Sequence, residues 1–246
     1  MKYKEFIFEK YEINKAKGEF RFYYSLDGDV DFVEKLAVDP KSVVWKNVNY
    51  ELLDAVLLNL HLMLGISYWK TYCPKKITIN SGKLNKEQAG FWNKLYINGL
   101  GEFFYKNKID SMGLARFPYS RHKPVPIKIR AKDRAIVPFG GGKDSIVTAE
   151  LLKSNKNNFI LLSLNTSRVQ RQAAGITGKK TIIIKRELGE GLFKLNKAGV
   201  YNGHIPITAV YSFVSLLAST LYNYKYIIFS NEQSANYGNL KYLNNV

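Results

Sequence analysis

Six consecutive residues, Gly140-Gly141-Gly142-Lys143-Asp144-Ser145, are the strongest concentration of chemistry in the chain. Glycines let a backbone approach an anion with no side chain in the way. The apolar run 134–139 before them reads as a strand, and 145–153 after them reads as a helix. That order makes the helix start an anion site, because its free N–H groups and its dipole both favour negative charge. Lys143 adds a cation, Asp144 can hold a divalent metal through water, and Ser145 can cap the helix or bind phosphate. The spacing is not the Walker type, which needs four residues between glycine and Gly-Lys. Nor is it the dinucleotide fingerprint, because the third glycine is missing. The plainer alternative is a glycine turn joining strand to helix, with a capping serine.

The elements around the loop position further polar groups. Strands at 134–139, 159–164, 181–185 and 226–229 alternate with helices at 145–153 and 205–222. Such alternation predicts a parallel sheet covered on both faces. In such sheets ligands bind beyond the carboxyl ends of the strands. Asn165, Thr166, Ser167 and Arg168 follow the second strand, and Arg186 follows the third. Asn202-Gly203-His204 precedes the long helix, and Ser230-Asn231-Glu232 follows the fourth strand. Each alone fits a cap or a turn; together they collect on one face. Arg116, Arg121, Arg168 and Arg186 are anion candidates, since a guanidinium takes two oxygens at once. Arg186 ranks first because it follows a strand directly.

The front half has a different rhythm. Residues 6–13 and 19–26 are rich in aromatic and β-branched residues around a Lys-Gly break, which predicts a hairpin. Asp27-Gly28-Asp29 supplies a turn, and Asp31 starts the next element. Residues 50–64 carry apolar positions at helical spacing, a helix ended by Gly65, and a second helix is expected over 86–105. The stretch 116–132, with Pro118, Pro124 and Pro126, is a linker and the expected domain boundary. His61 sits within an apolar helix as a core residue, whereas His122 lies between Arg121 and Lys123.

Composition sets outer bounds. Hydrophobic residues make up 46% and charged residues 23% of 246, which excludes wholesale disorder. The formal charge is +17, but lysines are scattered and form no long basic run, so charge alone leaves the partner undecided. A positive field serves a small polyanion equally well. The lone cysteine, Cys73, excludes an internal disulfide and fits a reducing cytoplasm. Residues 1–5 are followed by charged residues and lack the apolar core of a signal peptide. Residues 205–222 approach the length of a bilayer span, yet their Ser and Thr content and the strand that follows favour a buried helix over membrane insertion.

The loop resembles the Ser-Gly-Gly-x-Asp-Ser motif of the N-type ATP pyrophosphatases (PP-loop proteins), with Gly140 in place of the serine. That resemblance implies an α/β fold of the adenine-nucleotide alpha-hydrolase type over 131–246, preceded by a smaller α+β domain over 1–130. Wider segments are similar to the ATP-dependent glutamate epimerases of peptidoglycan precursors (MurL-type). They are Phe22-Tyr-Tyr-Ser-Leu26, Gly65-Ile-Ser-Tyr-Trp-Lys70, Glu102-Phe-Phe-Tyr-Lys-Asn-Lys-Ile-Asp110, Asn202-Gly-His-Ile-Pro-Ile-Thr208 and Ser230-Asn-Glu-Gln-Ser-Ala235, beside the loop itself.

The resemblance implies that ATP and Mg2+ activate the terminal glutamate carboxylate of a UDP-activated muramoyl dipeptide, after which its Cα proton is exchanged between faces. Gly140 to Ser145, Asn165, Ser230 and Asn231 are then expected to hold the nucleotide, with Asp144 at the metal. Arg186, Asn202 and Gly203 are expected at the substrate, and His204 and Glu232 at proton transfer. Glu232 serves equally as a magnesium ligand or a cap, and His204 as a helix-start residue. His122 is either solvated or at the diphosphate. Family members are longer than this chain, which stops soon after its fourth strand, so a further strand is expected beyond it. Two other readings stand beside this one: a PP-loop enzyme acting on a tRNA base, which the charge favours, and an ATP-binding sensor without turnover. Thiolation of a base needs catalytic cysteines, and Cys73 lies far from the loop.

Overall fold

The computed structural model describes residues 2–121 and 123–232. His122, residues 233–235 of the last family-like segment and the C-terminal residues 244–246 lie outside the described residues.

Strands β1 (Glu5–Asn14), β2 (Glu19–Leu26) and β3 (Val30–Ala37) form an antiparallel meander. Alternation at period two puts Phe6, Phe8, Phe20, Phe22, Phe32 and Leu36 on one buried face. Helix α1 (Tyr50–Leu64) covers that face with Leu53, Val56, Leu57 and Leu60, and the Asn49 side chain caps it by accepting from the Leu52 N–H at 3.1 Å. Gly65 does not end the helical path as expected. It keeps right-handed helical angles and leads into α2 (Ile66–Trp69). Its role is close approach: a Cβ there would stand 2.4 Å from Phe8 Cε1 and 3.0 Å from Tyr24 Cε1.

β4 (Lys76–Ile79) then pairs parallel with β1. The single helix expected over 86–105 is two, α3 (Lys86–Gly99) and α4 (Gly101–Asn107), broken at Leu100. Residues 116–131, His122 apart, carry no helix or strand, as the prolines predict.

The second half alternates β5 (Lys132–Pro138), α5 (Lys143–Ser154), β6 (Phe159–Leu164), α6 (Arg168–Thr177), β7 (Thr181–Glu187), α7 (Glu190–Lys197), α8 (Ile207–Tyr222) and β8 (Tyr224–Ile227). The last strand ends two residues earlier than expected, which leaves Ile228 and Phe229 in the segment beyond it.

All eight strands join one mixed sheet in the order β4-β1-β2-β3-β7-β6-β5-β8. The parallel sheet expected from the alternation is therefore half of a larger one: β7, β6, β5 and β8 run parallel, and β7 meets β3 antiparallel through Leu36↔Arg186. This pairing covers a β7 edge that would otherwise expose unpaired backbone groups. The larger core runs from Phe6 and Trp69 to Ile136, Val210 and Leu217, with α1 packed on α8. A smaller core under α5 and α6, including Val137, Phe139 and Leu161, covers the other face of the parallel strands. Among the described residues one helical run, Tyr50–Trp69, is long and apolar enough to cross a membrane. Its buried residues belong to the larger core, which is the placement of a core helix.

Candidate functional site at the carboxyl edge

The chain leaves β5 toward β6, while β8 lies on the other side of β5. The crevice between them is the switch point at which open parallel sheets bind ligands. The glycine loop sits there. Gly141 has φ +77°, a conformation that L side chains rarely adopt, and its Cα hydrogen faces Gln170. The Gln170 amide donates to the Gly140 carbonyl at 3.1 Å and so ties α6 to the loop. Gly142 is the N-cap of α5 and supplies no side chain to satisfy the first-turn N–H groups. A Cβ on Gly140 or Gly142 would meet no described atom within 4 Å. This is an open cradle of backbone donors.

Lys143 and Asp144 occupy the first turn of α5, and the Lys143 ammonium lies 3.5 Å from Glu232. Ser145 is buried and donates to the Gly142 carbonyl at 2.9 Å, so its hydroxyl shapes the loop while Gly142 takes the N-cap. A cavity of about 270 Å³ opens between this turn and the segment after β8, lined by Gly140, Asp144, Ser145, Thr208, Ser230 and Asn231. The Ser230 hydroxyl is buried without a hydrogen-bond partner among the described residues. Of the buried side-chain atoms without a partner among the described residues, the Ser230 hydroxyl is the one whose residue lines this cavity. Donor cradle, buried hydroxyl and first-turn carboxylate together could hold a nucleoside triphosphate with its magnesium. Among the described residues no three or more His, Cys, Asp or Glu cluster to hold a metal alone. Magnesium held by one carboxylate plus phosphate oxygens needs no such cluster.

A second cavity, of about 620 Å³, lies at the ends of β6 and β7 and shares Ile207 and Tyr211 with the first. Asn165 and Arg186 line it. Asn165 has φ +49°, and its amide is bonded both ways to the Arg186 backbone, accepting at 2.7 Å and donating at 2.8 Å. The Arg186 guanidinium donates from Nε to Glu34 at 2.6 Å and from Nη2 to Ser67 at 3.0 Å. Burial opposes its charge, but the neighbouring Glu34 carboxylate outweighs this and holds the pKa above the ordinary arginine value. Asn202 and Gly203 are held by Lys70, whose ammonium donates to the Asn202 Oδ1 and the Gly203 carbonyl, both at 3.0 Å. His204 is exposed and stands beside Glu102, whereas Glu232 pairs with Lys143.

A further cavity, about 630 Å³, opens instead at the amino ends of β5 to β7. Its one partly buried cation, Arg134, donates to the Tyr222 and Asn223 carbonyls at the end of α8. That is a helix-capping role. The groups able to do chemistry lie at the other edge.

Residues 1–245 match the MurL N-terminal domain family. The chain belongs to that family. It is 34% identical over 234 residues to a protein of Xanthomonas oryzae pv. oryzae, an alignment covering 95% of this chain and 52% of the relative. A protein of Salinispora tropica is 30% identical over 240 residues, 96% of this chain and 52% of its own length. Both are named UDP-N-acetyl-alpha-D-muramoyl-L-alanyl-L-glutamate epimerase. The chain spans about half the length of these curated relatives. No solved structure matches it.

In this MurL N-terminal domain several site residues escaped the sequence reading. Glu34 sits at a buried position of β3 where alternation calls for an apolar residue, and it is fully buried. That break in the pattern was the available signal. Ser67, Tyr68 and Lys70 lie in the family-like segment 65–70, just past the end that periodicity assigns to the preceding helix. Gln170 and Tyr211 are helix residues whose role depends on tertiary placement. Cys73 is buried, and burial pushes its thiol up to about 12, which is the setting of an inert cysteine.

Proposed function

We propose that this chain supplies the nucleotide-binding part, of the PP-loop type, of an ATP-dependent epimerase. The enzyme inverts the terminal L-glutamate of UDP-N-acetylmuramoyl-L-alanyl-L-glutamate during cytoplasmic peptidoglycan-precursor synthesis. The observation that carries this reading is the open glycine cradle at the switch point, facing the orphan Ser230 hydroxyl, in a chain whose relatives bear that name.

ATP supplies a leaving group. An oxygen of the glutamate α-carboxylate attacks the α-phosphorus, pyrophosphate departs, and the carboxylate charge is removed. The Cα–H bond becomes more acidic, a base takes the proton from one face, and an acid returns one to the other. Water then releases AMP and the D-glutamyl product. In this scheme the backbone amides of Gly140 to Gly142, with Lys143, Ser145, Asn165, Ser230 and Asn231, hold the nucleotide. Asp144 holds magnesium, Arg186, Asn202 and Gly203 stand at the substrate, and His204 and Glu232 move protons. Arg186 and Asn165 act there as braces, since their polar atoms engage Glu34, Ser67 and the strand backbone.

The test mixes the natural protein that carries this chain with magnesium ATP and the muramoyl dipeptide, then assays pyrophosphate and glutamate chirality. Stoichiometric pyrophosphate and D-glutamate are expected. Tight ATP binding with no pyrophosphate on adding the dipeptide would refute the reading and favour a sensor. The charge of +17 favours a second reading, a PP-loop enzyme acting on tRNA. That reading requires tRNA affinity that falls steeply with salt.

A further inference from the structure

The short segment Ser67 to Thr71 sends its polar groups into the second half of the molecule. Ser67 accepts from Arg186 at the end of β7, and the Tyr68 hydroxyl accepts from the Gly189 N–H at 2.9 Å. The Thr71 carbonyl accepts from the Tyr201 N–H at 3.3 Å. Lys70 reaches furthest, to Asn202 and Gly203, residues more than 130 positions away. These contacts fall on the loops at the carboxyl edge of the parallel strands.

Lys70 is 4% exposed and forms no ion pair with a carboxylate among the described residues. Its ammonium meets two neutral acceptors and the face of Phe103 at 5.6 Å, and burial holds its pKa below the ordinary lysine value. A buried amine without a counter-ion is costly and must be met by hydrogen bonds, which Asn202 and Gly203 supply here. The opposite wall of the loop is also fixed. The Asn107 amide donates to the Asn202 carbonyl at 3.1 Å, and Gly203, at φ +151°, passes so near Phe103 that a Cβ would stand 3.3 Å from its ring. His204 is the next residue.

We propose that Lys70 is a positioning residue: it clamps loop 201–204 onto the front half and so sets His204 for proton transfer, without acting on the glycine loop. This rests on the proposed epimerase reading. Asn202 and Gly203, placed at the substrate, are held by the same clamp, so Lys70 bears on dipeptide placement and on the second step but not on the glycine loop.

The test compares Lys70→Met with the wild type in the natural protein that carries this chain. Two reactions are followed: dipeptide-dependent exchange of labelled pyrophosphate into ATP, and exchange of the glutamate Cα proton with deuterated solvent. With the dipeptide saturating, pyrophosphate exchange should change less than threefold, and Cα exchange should fall at least thirtyfold. Lys70→Gln, which keeps an NH2 donor group on a shorter arm, should show the same split at smaller size, and it serves where the methionine variant does not fold. An equal fall in both reactions, or a fall in neither, would overturn the proposal. If the wild type supports neither reaction, the epimerase reading fails by itself. The clamp is then decided by hydrogen exchange on this chain, where amides 201–205 should exchange at least tenfold faster in the variant and those of α1 and β5 should not. Unchanged exchange at 201–205 would sink the clamp.

Discussion

At the scale of single residues the fold depends on a buried ion pair and a buried histidine. Arg186 and Glu34 form an ion pair with side chains 7% and 0% exposed. Removing one member of such a pair leaves an uncompensated charge, which costs about 3–5 kcal/mol. Arg186→Met should lose about that much in chemical denaturation, and adding Glu34→Leu should recover most of it. His61 is the second. Its Nε2 faces the Tyr23 carbonyl at 2.9 Å, which can only accept, so the proton sits on Nε2 and Nδ1 accepts from Ser81 at 3.0 Å. Burial lowers its pKa from 6.5 to about 4. Between those values the unfolded chain takes up a proton that the folded chain refuses, so stability is lost as pH falls through this window. The full shift is worth about 3 kcal/mol. His61→Gln should flatten that part of the stability–pH curve; an unchanged slope would show that the ring is not held neutral.

At the scale of elements, glycines set the close approaches. Gly65→Ala would drive a Cβ into Phe8 and Tyr24 where α1 turns into α2, an overpacking cost of about 1–3 kcal/mol that thermal denaturation would detect. Gly141→Ala forces a side chain into left-handed space, a cost of about 1–2 kcal/mol, and should weaken ATP binding in calorimetry at least tenfold. Elements with strong periodicity were legible. β2, α1 and β6 fall at the boundaries that alternation and helical spacing predict. β3 was not, because its buried Glu34 breaks the apolar alternation and the partner that explains it lies 152 residues away. α6 and α7 were missed because they are short and polar, with few buried side chains. Of the candidate site, the glycine loop's place between a strand and a helix could be read in advance, since it rests on local backbone geometry. The anchoring of Asn165, Arg186 and Asn202 could not, because their partners come from β3, β7 and the turn after α2.

At the scale of the whole molecule, the β3–β7 pairing makes one sheet of two rhythms, and the larger core runs beneath both halves. Cooperative unfolding follows, since neither half keeps its full core without the other. The three tryptophans, Trp45, Trp69 and Trp92, all lie in the front half, whereas far-ultraviolet dichroism reports both. Denaturation curves from the two signals should coincide, and separated transitions would show that the halves fold independently. The positive charge then surrounds a single body whose open glycine cradle faces the switch point, the place where an anionic nucleotide would be drawn.

That cradle is tested most directly by amide hydrogen exchange of this chain with and without magnesium ATP. Protection is predicted at Gly141 to Ser145 and at Phe229 to Asn231, with the amino-edge cavity around Lys132 and Lys180 unchanged. Protection at the amino edge instead, or none at the glycine loop under saturating ATP, would contradict the account.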